Sequence, residues 1–436
     1  MSSLPGDAIQ NILCRLEVKD LLRYRCVSKP WCSLIDDPHF IKIHLQHSKE
    51  TDSHLSLIRN DPELNAIDVD TLNSSIRLNP FDERDGVEIV ACVDGLLILA
   101  NFIGDMAIWN PSTKKYKKLL ASDLNVNPFP DCIVEYGITG FGYDSVNDDY
   151  KLFRMIYYFG MDVLSFHKEI RLYSLKNNSW KKIGDFPYES YKTRENGIFV
   201  NGTLNWMVSG ESTSYESIII VGFDLATEEY RKISMPEKKD IYGKETFHTN
   251  MTHLGGWLCV VCVYSVNDTA SRVGIWVMKE YGVKESWTKL AMVMPSGVTG
   301  PFDYLSPLVH FKNANQLLFD QSGDKFMLYD LKRNSAKSVT TISALNKCFD
   351  SFLCVRSLVK VCGGERGSNG KKAEENGNKR KKQGQQLGER KRVHDLGYFS
   401  VHWIQIGVVN GKRELKSQSH SPQVYAAGIL VAMSLF

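Results

Sequence analysis

One pair of cysteines has the spacing that metal and redox chemistry use. The four residues Cys259-Val260-Val261-Cys262 match the C-x-x-C pattern. They lie in an apolar run with strand character, and successive side chains of a strand point to opposite faces, so we expect the two thiols to diverge. A structural zinc site needs a second pair of ligands, and no other C-x-x-C follows. The pair therefore predicts buried thiols and no metal site.

The other patterns that could hold a cofactor are incomplete. Gly140-Phe141-Gly142 lacks the third glycine of a dinucleotide-binding loop, and neither a P-loop nor a G-x-S-x-G sequence occurs. With Tyr143 and Asp144, this stretch is typical of a strand that ends in a tight turn. The eleven histidines are scattered along the chain. We therefore expect no catalytic residue, no metal and no cofactor, and a protein that is not an enzyme.

Basic residues are concentrated near the C-terminus. Between Gly363 and Arg392, ten Lys and Arg stand against four Asp and Glu, a local charge of +6, whereas the whole chain carries +3 and the remainder therefore about −3. The composition of this stretch predicts disorder. Its basic clusters fit a bipartite nuclear import signal, a solvated tail or, as a third alternative, an RNA contact. The residues of the import signal would be Lys379, Arg380, Lys381, Lys382, Arg390, Lys391 and Arg392.

The composition bounds the class of protein. The 436 residues, 43% hydrophobic and 11% aromatic, suffice for one small and one large folded domain with tails. No apolar run reaches the ~18 residues of a membrane span, and the N-terminus lacks a signal-peptide pattern. We therefore expect no membrane contact, a location in the cytoplasm and nucleus, and ten cysteines that remain free thiols.

The first fifty residues predict a small bundle of three helices. Ile9, Ile12, Leu13 and Leu16 follow one another at helical spacing, a second helix runs from 19 to 27, and Ser28 can cap a third that ends at Asp37-Pro38. A further amphipathic turn begins at Phe40. So short a unit buries little surface alone. Either it is a cap packed on the following domain, or some of its apolar side chains face a partner.

The same stretch resembles the plant F-box nearly position for position, with Glu17 as a departure at the corner between the first two helices. The resemblance implies that these helices bind a Skp-family adaptor. It rests on Leu4-Pro5, on 12–16 and 19–23, on Cys26-Val27-Ser28-Lys29-Pro30-Trp31 and on Asp37-Pro38-His39-Phe40. The adaptor-binding residues that it implies are Leu4, Pro5, Ile9, Ile12, Leu13, Leu16, Leu21, Leu22, Val27, Ser28, Lys29, Trp31, Leu34 and Ile35.

From Leu55 to about Val361 the sequence predicts short strands and turns. A unit of two strands around a polar turn recurs with starts at 67, 108, 172, 223, 275 and 328, and Gly-led strands such as Asp94-Gly95-Leu96-Leu97 precede several copies. A period near fifty with about four strands each predicts a six-bladed β-propeller. The run 351–359 would complete the first blade by pairing near residues 55–80. An irregular β-sandwich is the alternative.

This β region also resembles the plant F-box-associated (FBA) domain. The resemblance rests on Asp94-Gly95-Leu96-Leu97, Trp109-Asn110-Pro111-Ser112-Thr113, 140–152 and above all 277–289. The predicted fold class is therefore an α+β multidomain protein, with a three-helix F-box before an all-β, six-bladed, propeller-like domain. The boundaries are an F-box at 1–47, a linker at 48–54, the FBA domain at 55–362 and a disordered basic tail at 363–436, of which 393–436 match nothing in the family.

The two resemblances together imply the substrate-recognition subunit of an SCF-type E3 ubiquitin ligase. The adaptor would link the chain to a cullin and a RING protein, while the FBA domain holds an unknown protein substrate for degradation. The chain is most similar to the F-box/kelch-like group, which includes members that limit the levels of plant immune receptors. An F-box-bearing module that binds a glycan or peptide without degradation remains an alternative. A nucleic-acid binder acting through the basic tail is a third.

Overall fold

The structure is a computed structural model, and it divides into two compact units, Met1–Asn369 and Gly370–Phe436. The residues that it describes are 5–60, 64–69, 75–77, 87–101, 104–124, 132–160, 166–190, 196–209, 218–236, 246–266, 269–296, 298–300, 304–311, 314–323, 325–341, 351–361, 403–409 and 412–418.

The N-terminal part is helical, and it has four helices where the sequence predicted three. They are α1 (Gly6–Leu13), α2 (Val18–Tyr24), α3 (Lys29–Ile35) and α4 (Pro38–Glu50). Ser28 caps α3 as predicted, since its Oγ accepts a hydrogen bond from the Trp31 N–H at 3.3 Å. Asp37-Pro38, predicted only to end α3, also begins α4, because Asp37 Oδ1 accepts from two backbone N–H groups and Pro38 suits a first turn.

The fourth helix also changes the predicted linker. Residues 48–50 lie in α4, and Ser48 is buried, with its Oγ donating to the His44 carbonyl at 3.0 Å. The remaining linker residues lead directly into the first strand. The polar composition of 48–54 indicated a linker, but three of its residues complete the last turn of a helix that packs on the domain after it.

The β region contains the predicted succession of short strands. Its strands are β1 (Leu55–Asn60), β2 (Leu64–Asp68), β3 (Ser75–Arg77), β4 (Val87–Val93), β5 (Leu96–Asn101), β6 (Met106–Asn110), β7 (Lys115–Leu119), β8 (Cys132–Asp144), β9 (Asp149–Gly160), β10 (Phe166–Ser174), β11 (Ser179–Ile183), β12 (Glu189–Ser190), β13 (Asn196–Val200), β14 (Thr203–Ser209), β15 (Ile218–Asp224), β16 (Tyr230–Ile233), β17 (Thr246–Leu254), β18 (Trp257–Val266), β19 (Thr269–Met278), β20 (Trp287–Val293), β21 (Leu305–Phe311), β22 (Gln316–Gln321), β23 (Lys325–Asp330), β24 (Ser335–Thr341) and β25 (Ser351–Val355). Short 3₁₀ helices occupy Ala121–Leu124 and Lys284–Ser286.

These strands form consecutive antiparallel meanders. Four sheets have four strands each, in the orders β25-β1-β2-β3, β4-β5-β6-β7, β17-β18-β19-β20 and β21-β22-β23-β24. The fifth has nine strands, in the order β11-β10-β9-β8-β13-β14-β15-β16 with β12 added on β14. The strands β25, β4, β8, β13, β17 and β21 contact one another in that order, and β21 returns to β25. The domain is therefore propeller-like and not an irregular sandwich.

The first sheet is completed by the last strand of the domain. β25 pairs antiparallel with β1, from Leu55 opposite Val355 to Arg59 opposite Ser351. The predicted pairing of the 351–359 region with residues 55–80 is therefore confirmed. The regular strand ends at Val355, however, and residues 356–361 continue without regular structure among the described residues.

The two chemistry-like motifs are structural. Cys259 and Cys262 lie in β18 and pack into two different apolar clusters, on opposite faces of the sheet, as predicted. Burial raises the pKa of both thiols, that of Cys262 to about 11, which disfavours the thiolate that redox chemistry or metal binding would need. Gly140 lies in β8 beside Gly197 of β13, and added Cβ atoms on these glycines would collide with the Trp206 ring. The glycines allow the two strands to meet over that ring.

Within the residues that the structure describes, no cluster of three or more His, Cys, Asp or Glu could hold a metal ion. Among the same described residues, no helix is long and apolar enough to span a bilayer.

The second unit contains a hairpin where the sequence predicted disorder. Strands β26 (Trp403–Val409) and β27 (Lys412–Gln418) pair antiparallel, with Trp403 opposite Gln418. The prediction of a wholly disordered tail is corrected for these residues. The signal in the sequence is Asn410-Gly411 between two β-type runs, a strong hairpin pattern that the basic composition obscured. The residues of the nuclear import signal, 379–382 and 390–392, lie outside the described residues.

Candidate functional site

Large apolar side chains are exposed on the helical unit formed by α1–α4. Ile12 is 54% exposed, Tyr24 38% and Val27 62%, and Trp31 packs edge-on against the Tyr24 ring with the centroids 5.9 Å apart. Exposed side chains of this size cost solubility and mark interaction sites when they gather in one small region. We call Ile12, Tyr24 and Val27 the exposed apolar set.

The predicted adaptor-binding residues divide into three groups. Leu13, Leu21 and Ile35 are at most 1% exposed and occupy the inward positions of α1, α2 and α3. Their role in adaptor binding stays a prediction. Exposed residues are Pro5, Ile12, Val27 and Lys29, and half-buried residues are Ile9, Leu16, Leu22, Ser28, Trp31 and Leu34. Leu4 lies outside the described residues.

The buried residues of the helical unit join a core that continues into the sheets. Leu13, Leu21 and Ile35 belong to one apolar cluster with Leu96 of β5 and Ile108 of β6, which we call the shared core. The helical unit therefore does not complete its own core, and the alternative of a cap packed on the following domain describes its inner face. The exposed apolar set is what this packing leaves uncovered.

A buried carboxylate ties α4 to the second sheet. The Lys49 ammonium forms an ion pair with Asp94, whose side chain is only 6% exposed, and the Tyr150 hydroxyl donates to Asp94 Oδ2 at 3.0 Å. Burial, and then the charge of Asp94, raises the pKa of Tyr150 well above its usual value, so this hydroxyl stays a donor. A charge taken out of water needs such partners. Lys49 therefore supplies the positive charge that Asp94 requires.

The turn that contains Asp94 leaves no room for a side chain in place of Gly95. Both residues have positive φ, 56° and 82°, in a two-residue turn between β4 and β5. A Cβ atom on Gly95 would lie 2.4 Å from Ser357 Oγ, and this hydroxyl donates to the Asp94 carbonyl at 2.6 Å. The Gly-led pattern seen in the sequence thus marks a turn on which the chain after β25 closes.

A second ion pair reaches the turn between β8 and β9. Lys42 Nζ of α4 lies 2.9 Å from Asp148 Oδ1, which also accepts from the Tyr143 hydroxyl at 2.5 Å. These hydrogen bonds, that from Lys42 first, lower the pKa of Asp148. Both partners of the ion pair are more than half exposed, so the pair is weaker than the one at Asp94.

Residues 356–361, which we call the return segment, connect β25 to the helical unit. The Arg356 guanidinium donates to Asp68 of β2 at 2.5 Å and lies 3.6 Å from Glu17 Oε2. Lys360 Nζ donates to the Asp36 carbonyl, at the end of α3, at 2.8 Å. Glu17, the residue that departs from the family pattern, thus faces a cation of the return segment.

A buried histidine fixes α4 against the corner between α1 and α2. His44 is fully buried, its Nε2 lies 2.9 Å from the Leu16 carbonyl, and its ring stacks on His54 with the centroids 5.6 Å apart. Burial lowers the pKa of His44, which keeps the ring neutral at physiological pH. Sequence reasoning missed His44, Lys49 and Arg356, since single polar residues at such distances along the chain carry no local pattern.

Two domain families match the chain. Residues 1–43 match the F-box domain, and residues 44–356 match the F-box associated beta propeller domain. The boundary between the two matches falls inside α4, the helix that contacts the sheets.

The chain is similar to F-box proteins of Arabidopsis thaliana along most of its length. The F-box protein CPR1 of Arabidopsis thaliana is 34% identical over 382 residues, covering 84% of this chain and 91% of that protein. Another F-box protein of Arabidopsis thaliana is 30% identical, covering 84% of this chain and 92% of the relative. An oligogalacturonate lyase structure in complex with manganese aligns over 64% of this chain and 71% of that one, with 11% identity and a TM-score of 0.34, too low to support any conclusion.

Proposed function

Because the chain belongs to the F-box proteins that carry an F-box associated β-propeller domain, we propose that it is the substrate-recognition subunit of an SCF-type ubiquitin ligase. F-box domains in general bind Skp-type adaptors in such complexes. The observation that carries the proposal here is the exposed apolar set on a helical unit whose inner face is already packed. A surface of this kind needs a partner, and an adaptor linked to a cullin and a RING protein is the one that the family supplies.

The adaptor surface is centred on the exposed apolar set. Pro5 and Lys29 extend the exposed surface, and half-buried Leu16, Leu22 and Trp31 support it. A stable interface buries ~1,200–2,000 Å² in total, more than three side chains provide, so the flanking predicted residues, Ile9, Ser28, Leu34 and Leu4 among them, contribute contact area. A few anchors carry most of the energy, and Ile12 and Val27 are the most exposed apolar candidates.

The target is held at the end of the sheets away from the helical unit. The helical unit covers the β4–β5 turn, the β8–β9 turn and the end of β25. β13 runs parallel to β8, and Tyr281 of the β19–β20 turn donates to Asn205 near the start of β14, so this turn lies at the covered end too. The segment after β20 therefore leaves at the opposite end, where the target has free access.

The segment after β20 offers a defined apolar contact. Met294 is 60% exposed and Val298 50%, and Val298 directly precedes Thr299, which is held by several hydrogen bonds. The Thr299 carbonyl accepts from Gln321 Nε2 at 2.6 Å and from Lys325 Nζ at 3.0 Å. Apolar side chains held in place lose little entropy on binding. Met294 and Val298 are therefore the described residues with which target recognition is best tested.

The sheets belong to a six-bladed ring in this proposal. The nine-stranded sheet divides at its short parallel contact between β8 and β13 into two meanders, each with at least four strands. With the four four-stranded sheets, this gives six units. The closed succession of contacts from β25 through β21 and back supports the same number.

The chain contributes proximity and no bond-making chemistry. Holding a target beside a conjugating enzyme that carries ubiquitin raises the effective concentration of the target's lysines. We propose immune receptors of plants as the first targets to test, and residence in the cytoplasm and nucleus. The glycan- or peptide-binding alternative shares the propeller surface but leads to no ubiquitin transfer.

The proposal is tested with the double substitution Ile12→Asp, Val27→Asp. Both positions are exposed, so folding should be unaffected, whereas two unpaired charges in an apolar interface should weaken binding of a recombinant plant Skp-family adaptor more than a hundredfold. Captured targets should remain bound but lose ubiquitination under proteasome inhibition. Unchanged adaptor binding would show that the docking assignment is wrong.

Two further results separate the alternatives. Adaptor binding without ubiquitination of any captured protein favours the module without degradation. Salt-sensitive nucleic-acid binding that disappears when residues 363–392 are deleted favours the nucleic-acid binder.

A further inference from the structure

The return segment is buried between the helical unit and the sheets although it has no regular structure. Leu358, Val359 and Val361 are 5%, 8% and 6% exposed and belong to the shared core together with Leu13 and Leu21. An irregular segment in a core needs side-chain partners for its backbone. Asn110 Nδ2 of β6 supplies them, donating to the Ser357 and Val359 carbonyls at 3.0 and 2.8 Å.

The segment touches the helical unit through two charged side chains as well. Arg356 faces Glu17 at the corner between α1 and α2, and Lys360 donates to the last turn of α3. The Arg356 N–H donates to the His54 carbonyl at 2.8 Å, just after α4. All four helices contribute residues to the shared core. The return segment therefore supports each helix either through this core or through a polar contact near a helix end.

The same stretch of chain completes the first sheet. β25 pairs with β1 over five residues, and the chain passes into the return segment without a break at Val355. Ser357 then bonds the turn before β5. Closing the sheets and supporting the helical unit are thus two tasks of eleven consecutive residues, 351–361, placed some three hundred residues after the helices that they support.

We infer that the return segment is a positioning segment for adaptor docking: it holds α1–α3 in the arrangement that presents the exposed apolar set, so the F-box binds its adaptor with full affinity only when the return segment is packed against it. The inference rests on the proposed function. Its consequence is that a chain lacking the return segment binds the adaptor at least tenfold more weakly, even though its F-box sequence is intact.

The physical reason is the size of the helices. α1, α2 and α3 have eight, seven and seven residues, whereas isolated helices shorter than ~12–15 residues are marginal in water. A unit of ~50 residues also buries too little surface to fold securely alone. Packing on the return segment therefore supplies stability that the helices lack, and it sets their mutual orientation.

The first experiment compares chains of different length. A chain ending after Val361 keeps the return segment, and a chain ending after Val355 keeps β25 and loses the return segment together with all residues beyond it. Binding of a recombinant plant Skp-family adaptor is measured by calorimetry for both and for the full chain. We expect the longer chain to match the full chain within twofold and the shorter chain to bind at least tenfold more weakly.

A fluorine label shows whether the loss is local. Trp31 is the tryptophan of the helical unit, whereas Trp257 and Trp276 lie in β18 and β19, far along the chain. With 5-fluorotryptophan incorporated, the ¹⁹F resonance of Trp31 should move in the shorter chain while those of Trp257 and Trp276 stay in place. A role limited to the stability of the sheets would instead move all three together.

If the shorter chain fails to fold, substitutions at Leu358 test the inference in the full chain. Leu358→Ser should weaken adaptor binding at least tenfold and shift Trp31 alone, and Leu358→Met, which keeps the apolar volume, should restore both. If the full chain binds the adaptor and both the Val355-ending chain and Leu358→Ser bind it within twofold of the full chain, the inference is overturned. If the full chain itself does not bind, it is the proposed function that fails.

Discussion

The inner and outer faces of the helical unit use similar residues for opposite purposes. Leu13 and Ile12 are neighbours in α1, yet one is 1% exposed and the other 54%. The difference is made by the sheets and the return segment, which cover one side of α1 and leave the other open. Adjacent apolar residues such as Ile12 and Leu13 can therefore belong to the proposed docking surface and to the core, and only what packs on them distinguishes the two.

The largest effect should follow from a change on the inner face. Leu21 is fully buried in the shared core, so Leu21→Ala should lower the free energy of unfolding by ~2–5 kcal/mol, through lost burial and the cavity left behind. Chemical denaturation measures it. The control is Leu120→Ala, at a leucine 43% exposed after β7, which should change stability by less than ~0.5 kcal/mol. Equal effects of the two would contradict the shared core.

The second prediction concerns the ion pair between Lys49 of α4 and Asp94 of the second sheet. Lys49→Met removes the cation of Asp94, leaving a carboxylate that is almost fully buried with only Tyr150 as a side-chain hydrogen-bond donor among the described residues. Breaking a buried pair costs ~3–5 kcal/mol, but the Lys49 side chain is 46% exposed, so we expect roughly 1–2 kcal/mol after solvent screening.

The double-mutant cycle with Asp94→Asn gives the coupling directly. Asparagine tolerates the positive φ at this position and has no charge that needs Lys49. Lys49→Met should therefore cost much less in the Asp94→Asn background. Costs that add without coupling would mean that the pair does not tie α4 to the sheets.

The sequence predicted the first three helices and the closing strand, because each depends on local periodicity or on a repeated unit. It did not predict which leucines are covered, since Leu13 and Leu16 have the same pattern and differ only in what packs on them. The contact between Arg356 and Glu17 could not be predicted either, because it joins residues more than three hundred positions apart. The hairpin at 403–418 had a local signal in Asn410-Gly411, which the basic composition before it outweighed.

A truncation on the outer face should affect binding and spare stability. Val27→Ala removes two methyl groups from a side chain that is 62% exposed, so the free energy of unfolding should change by less than ~0.5 kcal/mol. Adaptor affinity should fall about tenfold if Val27 is an anchor, which corresponds to ~1.4 kcal/mol. The matched control is Val146→Ala, at a valine 78% exposed on a turn of the sheets, and adaptor binding should not respond to it.

The smallest effect is expected at Lys42 and Asp148, on the rim between the two faces, where the two side chains are 55% and 56% exposed. Lys42 lowers the pKa of Asp148, so the folded state binds a proton there less readily than the unfolded chain does. The stabilisation is therefore fully present above the unfolded pKa, near ~3.9, and is lost as the pH falls through the lower folded value.

The melting temperatures of the wild type and Lys42→Ala should differ slightly and by a constant amount from pH 5 to 7, in the range of an exposed pair worth ~0–1 kcal/mol, and converge below about pH 3. Lys115→Ala, at an exposed lysine of β7 for which the described residues supply no ion pair, should show no such convergence. A difference between wild type and Lys42→Ala that grows on acidification would reverse the sign and show that Asp148 is stabilised in its protonated form.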